Sequence, residues 1–292
     1  MKTAQLTEYS REVLKGRQIR SFAYAAGVIG IPLSFRLAEA AGASIMLYCT
    51  DIKPTELFFS DNRIWHIFTI ICALLKYMAS APVILAAAGW FTSVCDIDGE
   101  KSFHSLSEIL SDYKILRKSI VTMLLTKFIL ALFFLPCGVF IGFASEMLLS
   151  GSSSGIFYGI HCVSMTLFSL GMWIWATLGA AAVPFVMAKN AKENVFALIM
   201  KSFRVMKGRR TGLIRLIAVK GLPLLAIVTI PFMLGSFFIT ISLYINICIK
   251  EAEYDEWVKV QSKNENADNS SKISAWRDRN FKTSADEAEA AE

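Results

Sequence analysis

Charge is scarce in this sequence: 18% of its 292 residues are Asp, Glu, Lys or Arg, against 54% that are hydrophobic. A soluble domain ordinarily carries about 25% charged residues, so the deficit excludes an ordinary water-soluble globule. Histidine is scarcer still. The three present, His66, His104 and His161, are scattered along the chain. No HExxH, CxxC, GxGxxG, GxSxG or P-loop pattern occurs, which removes the common signatures of zinc, nucleotide and nucleophile chemistry. "GSSSG" at Gly151 to Gly155 carries no lysine and opens no nucleotide-binding unit, so it reads as a flexible loop. The six cysteines (Cys49, Cys72, Cys95, Cys137, Cys162 and Cys248) fall mostly in or beside apolar runs and read as small apolar fillers. No catalytic, cofactor-binding or metal-binding residue is expected, and the chain is expected not to be an enzyme.

What the sequence does have is length without charge. Apolar runs cover 21–49, 64–92, 119–148, 156–187 and 213–249. A helix of about 20 apolar residues crosses a hydrocarbon core ~30 Å thick, so each run is long enough to span. The last has 37 residues, and Gly221, Pro223, Pro231 and Gly235 offer places to break it into a hairpin. The expectation is an all-α, polytopic transmembrane helical bundle over 21–250, with six spans favoured and five possible. A basic amphipathic segment precedes it at 1–20, and a polar, acidic tail follows at 251–292, expected to be disordered. The N terminus imitates a cleavable signal peptide up to "AEAAGA", but its basic region is long and the following chain is membranous, so it is expected to stay.

Charge distribution predicts orientation. Residues 250–292 hold seven Lys/Arg against eleven Asp/Glu, so the net +6 of the chain leaves +10 for the rest. That excess lies beside the runs. Lys2, Arg11, Lys15, Arg17 and Arg20 precede the first, and eight basic residues from Lys189 to Arg215 follow the fourth. The positive-inside rule places both groups in the cytoplasm, together with the 93–118 loop, and the 50–63 and 149–155 loops outside. A cell membrane with a cytoplasmic N terminus and, for six spans, a cytoplasmic C terminus is expected. Trp65 and Trp90 flank the second run about 37 Å apart along a helix, the separation of two interfacial aromatic belts.

The two inner loops echo one another. Ser105 and Glu108 have capping-box spacing, and Phe103, Leu106, Leu110 and Tyr113 share a helical face. Asn190 and Glu193 repeat that spacing before Val195, Phe196, Ile199, Met200, Phe203 and Met206. Two cytoplasmic interfacial helices are expected, and with them a weak parallel repeat. The basic cluster of the second, Lys201, Arg204, Lys207, Arg209 and Arg210, supplies candidate contacts to anionic lipid, and its apolar face argues against nucleic acid.

Ionisable residues within spans mark candidate sites, because they are costly there. Arg36 and Glu39 reach an interface and should pair. Lys127 can snorkel. Lys76, about 16 Å from Trp65 and about 21 Å from Trp90 along the helix, falls near the midplane and forms a candidate polar site with Glu39 or Glu146 as partner. Of the two readings, a purely structural buried lysine is favoured over a functional one. Pro32, Pro82, Pro136 and Pro184 are candidate kinks.

"GWF" at Gly89 to Phe91, "GEKSFHSLSEIL" at Gly99 to Leu110, "LPCG" at Leu135 to Gly138, Pro184, Ser202, "MKG" at Met206 to Gly208, Lys220 with Gly221, and Thr229 resemble the bacterial integral-membrane family catalogued as domain of unknown function 975. The resemblance covers about residues 10–250. It implies six helices in the bacterial cytoplasmic membrane with both ends inside, and no established activity or catalytic residue. Leu222 stands where that family usually has an aromatic residue, and its late Pro-Tyr pair has no counterpart. The expected function is a non-enzymatic membrane bundle binding lipid, a protein partner or a second copy of itself. Alternatives are a small-solute transporter or efflux component, and an intramembrane lipid-modifying enzyme.

Overall fold

A computed structural model describes residues 3–50, 63–95, 105–149, 153–221, 233–259 and 261. The described residues are all-α, without a strand. Helices α1 (Thr3–Leu14), α2 (Gln18–Thr50), α3 (Arg63–Cys95), α4 (Leu106–Ser111), α5 (Tyr113–Leu149), α6 (Ser153–Ala180), α7 (Val183–Lys189), α8 (Val195–Val205) and α9 (Arg210–Gly221) are followed by α10 (Met233–Lys259). Five of them, α2, α3, α5, α6 continued by α7, and α10, are long and apolar enough to cross a membrane. This is the smaller of the two span numbers the sequence allows. With 12 residues, α9 reaches about 18 Å and does not cross alone.

Exposure divides the bundle into two ends. In α3, large apolar side chains are exposed from Ile64 to Met78, and none is from there to Cys95. In α6 they are exposed from Phe157 to Trp175, whereas Ala176, Leu178 and Ala180, and Val183 at the start of α7, are buried. In α5 the exposed apolar side chains are densest from Phe128 to Phe143, with Tyr113 and Val121 exposed before them, and in α2 from Ile29 to Tyr48, with Ile19 and Phe22 exposed before them. Counted along the helices these stretches are about 21–28 Å long, close to the ~30 Å of a hydrocarbon core. They form an apolar belt. Beyond it the helices continue into a packed end, where α7 packs on α3, α8 on α5 and α6, and α9 on α6.

The packed end has its own logic. In α1, Leu6, Ser10 and Leu14, one helical turn apart, are buried, and the chain then reverses at Gly16 with φ +78, a left-handed turn that glycine adopts without penalty. Tyr24 stacks on Trp90 at 5.3 Å, and Phe91 on Phe238 at 6.0 Å. Gly235 lets α10 touch α2: a Cβ there would lie 2.6 Å from Ser21 Oγ. The α9 and α10 helices run antiparallel, with Gly221 beside Phe237 and Gly212 beside Tyr244, whose hydroxyl donates to the Arg209 carbonyl at 2.7 Å. The described contacts between these two helices lie at the packed end, and Pro223 and Pro231, offered by the sequence as break points, lie outside the described residues.

Trp65 and Trp90 are 5% and 7% exposed, so both rings pack against protein, Trp90 at the packed end. Lys76 lies two residues before Met78, the last large apolar side chain of α3 that is exposed. The repeat is weaker than its spacing suggests. Ser105 and Glu108 do form a reciprocal capping box, but the helix they start, α4, has 6 residues and buries Ile109, leaving Leu110 and Tyr113 exposed. Asn190 instead closes α7, and α8 begins after Asn194, which makes no side-chain cap. Phe103 lies outside the described residues.

Compact units divide at Cys248, near the expected end of the bundle at 250. In the second unit, α10 continues through Tyr254 and Trp257, whose rings stack at 6.1 Å. Most of the 251–292 tail lies outside the described residues.

Candidate functional site

Where the belt ends, α3 and α5 bring two lysines to one ring. The Lys76 ammonium stands 5.0 Å and the Lys127 ammonium 5.9 Å from the centroid of Tyr77. Lys76 is 8% exposed and Lys127 half-buried. Among the described residues no carboxylate pairs with either. Electron-rich ring faces attract cations, which offsets part of the cost of keeping two like charges together away from water. A lysine inside a bilayer costs on the order of 3 kcal/mol on insertion scales, less toward the interface, so the edge of the belt is the least costly depth for both.

Next to Lys127 is a cavity of ≈ 250 Å³ between α3, α5, α6 and α7. Its polar wall comes from α5. Ser119, Thr122 and Thr126, at i, i+3 and i+7, line it together with Lys127 and with Thr177 of α6. Each hydroxyl donates to a carbonyl one turn back in its own helix: Ser119 to Leu116 at 2.8 Å, Thr122 to Lys118 at 2.7 Å, Thr126 to Thr122 at 2.7 Å and Thr177 to Trp173 at 2.9 Å. Their protons are thus engaged, and their oxygens keep lone pairs to accept a bond. Ala81, Ala180, Ala181 and Leu130 supply small or apolar walls.

The far wall is made by a broken helix. Of the four prolines read as kinks, Pro32, Pro82 and Pro136 lie inside unbroken helices, whereas Pro184 starts α7 after the turn at 181–182. Proline lacks the N–H that would have bonded the Ala180 carbonyl, and here, unlike at the other three prolines, the helix breaks at that lost bond. Ser202 of α8 donates to the Gly179 carbonyl at 2.7 Å, which repairs part of the break. The apolar side of α8 closes the junction: Ile199 packs with Leu130, Ala176, Ala180 and Val183, flanked by Val195 and Phe203. Thus α8 docks on the bundle by a face the sequence assigns to the membrane surface, and only Phe196 and Met200 of that face are exposed.

The basic cluster disperses on folding. Lys201 pairs with Glu193 at 3.4 Å. The Arg209 guanidinium donates to the carbonyls of Val205 at 3.1 Å and Cys248 at 3.4 Å. Arg210 lies between two rings, 4.8 Å from that of Trp175 and 5.7 Å from that of Phe203, and burial lowers its pKa from the ordinary arginine value. Arg204 and Lys207 are exposed. Glu39 accepts from Arg36 at 2.7 Å, as its spacing predicts, and Glu146 is exposed. Neither is paired with Lys76, so the candidate trio does not assemble.

Sequence reasoning missed Lys127 as the partner of Lys76, the hydroxyl stripe, and Lys118, which donates to the carbonyls of Ala191, at 2.6 Å, and Glu193. The stripe had a signal: three hydroxyl residues at helical spacing within an apolar run. Among the described residues no group of His, Cys, Asp or Glu could hold a metal, and no disulfide joins the described cysteines, of which Cys72, Cys95, Cys137 and Cys248 are buried. No family model, curated protein or solved structure matches the chain.

Proposed function

We propose that this chain is a non-enzymatic, multi-pass protein of the bacterial cytoplasmic membrane that binds membrane lipid, with its N terminus in the cytoplasm. The observation that carries the reading is the coincidence of three cations, Lys76, Lys127 and Arg210, with the edge of the apolar belt. Cations at that depth meet lipid phosphates, and near an anionic leaflet each contributes about 1 kcal/mol. The positive-inside rule makes this edge the cytoplasmic one. The motifs from Gly89 to Thr229 support grouping the chain with domain of unknown function 975. Retention of phosphatidylglycerol over phosphatidylcholine by the purified full chain is expected when both are offered in mixed micelles; equal retention would sink the reading. A reporter fused after residue 292 is expected to be cytoplasmic if the last run turns back, and external if it crosses.

A second reading, a small-solute transporter, is favoured by the cavity beside the break at Pro184, because discontinuous helices frequently surround transport sites. Proteoliposomes carrying the wild type and Lys76→Met should then differ in solute flux, and equal flux would remove Lys76 from any transport route.

A further inference from the structure

Four features coincide at one depth: the end of the belt on α3, α5 and α6, two lysines without a carboxylate, a stripe of hydroxyl acceptors, and the cavity. We propose that the cavity is a headgroup site for an anionic glycerophospholipid, the phosphate facing Lys127, whose charge is reinforced by Lys76 over the same Tyr77 ring outside the cavity lining, and the headgroup hydroxyls donating to Thr122, Thr126 and Thr177. This rests on the lipid-binding reading and names its site and ligand class.

The chemistry matches in three respects. A phosphodiester carries the negative charge that two unpaired ammonium groups lack, and charge-assisted bonds to phosphate oxygens are the strong ones. Because the wall hydroxyls already donate to their own helix, the complementary headgroup is one that donates, such as a polyol; a choline, without an O–H or N–H, gives them nothing. At ≈ 250 Å³ the space falls below the ~300–1,000 Å³ of pockets that enclose drug-sized ligands, so it holds a headgroup while the acyl chains stay on the belt. Exposed apolar side chains for those chains stand beside the site, Met78 on α3 and Val121 and Phe128 on α5.

The test titrates the full-length chain, in zwitterionic detergent, with dihexanoyl phosphatidylglycerol, dihexanoyl phosphatidylcholine or sodium phosphate, read by calorimetry. Both lipids offer the same phosphate, so the glycerol lipid should bind about tenfold more tightly than the choline lipid because its hydroxyls donate to the wall and it carries no cation to be repelled by Lys127. Lys127→Gln and Ala181→Leu, which fills the cavity without touching a charge, should each abolish that preference. Lys127→Arg, which retains the charge, and Lys207→Gln, outside the cavity, should keep it; both also report whether changes at these positions disturb folding, through the melting temperature. A preference that survives Lys127→Gln and Ala181→Leu but is lost in Lys207→Gln overturns the cavity site while leaving lipid binding intact. Equal binding of the two lipids overturns both. Sodium phosphate binding with the same Lys127 dependence, and no lipid preference, assigns the cavity to a soluble anion and overturns the lipid.

Discussion

Single residues at the packed end work by what they omit. Gly235 carries no Cβ where one would stand 2.6 Å from Ser21 Oγ and 3.2 Å from Ser21 Cβ, so any larger side chain must push α10 off α2. Gly235→Val is expected to destabilise the protein by about 1–3 kcal/mol, the usual cost of overpacking, seen as a lower melting temperature in detergent. Gly30, with open space around it, is the control, and an equal loss from Gly30→Val would show that helix propensity and not contact is responsible. The lysines illustrate the limit of residue-level reading. Their cost in lipid was legible in the sequence, but the partner was sought among carboxylates, whereas the structure supplies an aromatic ring and a second lysine. Like charges brought together by separate helices leave no trace in linear spacing.

At the scale of elements, periodicity was read correctly and its target was not. The α8 helix is amphipathic, yet its apolar face meets α5, α6 and α7 because the break at Pro184 leaves a notch for Ile199 to fill. Nothing in an amphipathic pattern tells lipid from protein, since both are apolar. Ser202, buried on that face and bonded to the Gly179 carbonyl, is the polar exception and the clue. Ser202→Ala should leave that carbonyl unsatisfied at a cost of about 1–3 kcal/mol. Hydrogen exchange should quicken in 195–205 ahead of the spans, and uniform quickening throughout would mean that α8 is not held separately. Capping behaves likewise: the spacing at Ser105 and Glu108 forms a box, and the same spacing at Asn190 and Glu193 does not, because the chain is still closing α7 there.

For the molecule as a whole, fold class followed from composition and run length alone, since no other structure satisfies the backbone of such runs in lipid. The depth at which the bundle sits did not follow. Apolar residues fill both the belt and the packed end, so the runs overstate the part in contact with lipid, and α3 is apolar for 32 residues while exposing large apolar side chains only as far as Met78. Nitroxide labels at 67, 71 and 167 should be reached by oxygen dissolved in the bilayer, and labels at 85 and 178 should not. Equal accessibility at 85 and 71 would move the edge of the belt past the two lysines.

The contact of Gly235 with Ser21 also sets an order of events. A ribosome adding roughly 5–20 residues per second delivers residue 235 some 10–40 s after residue 21. During that interval the packed ends of α2 and α3, including Ser21 and Phe91, have no α10 to cover them. The first two spans therefore enter the membrane as an unfinished pair whose last wall arrives with the final helix, and the nascent chain must keep that open face from other chains until it does.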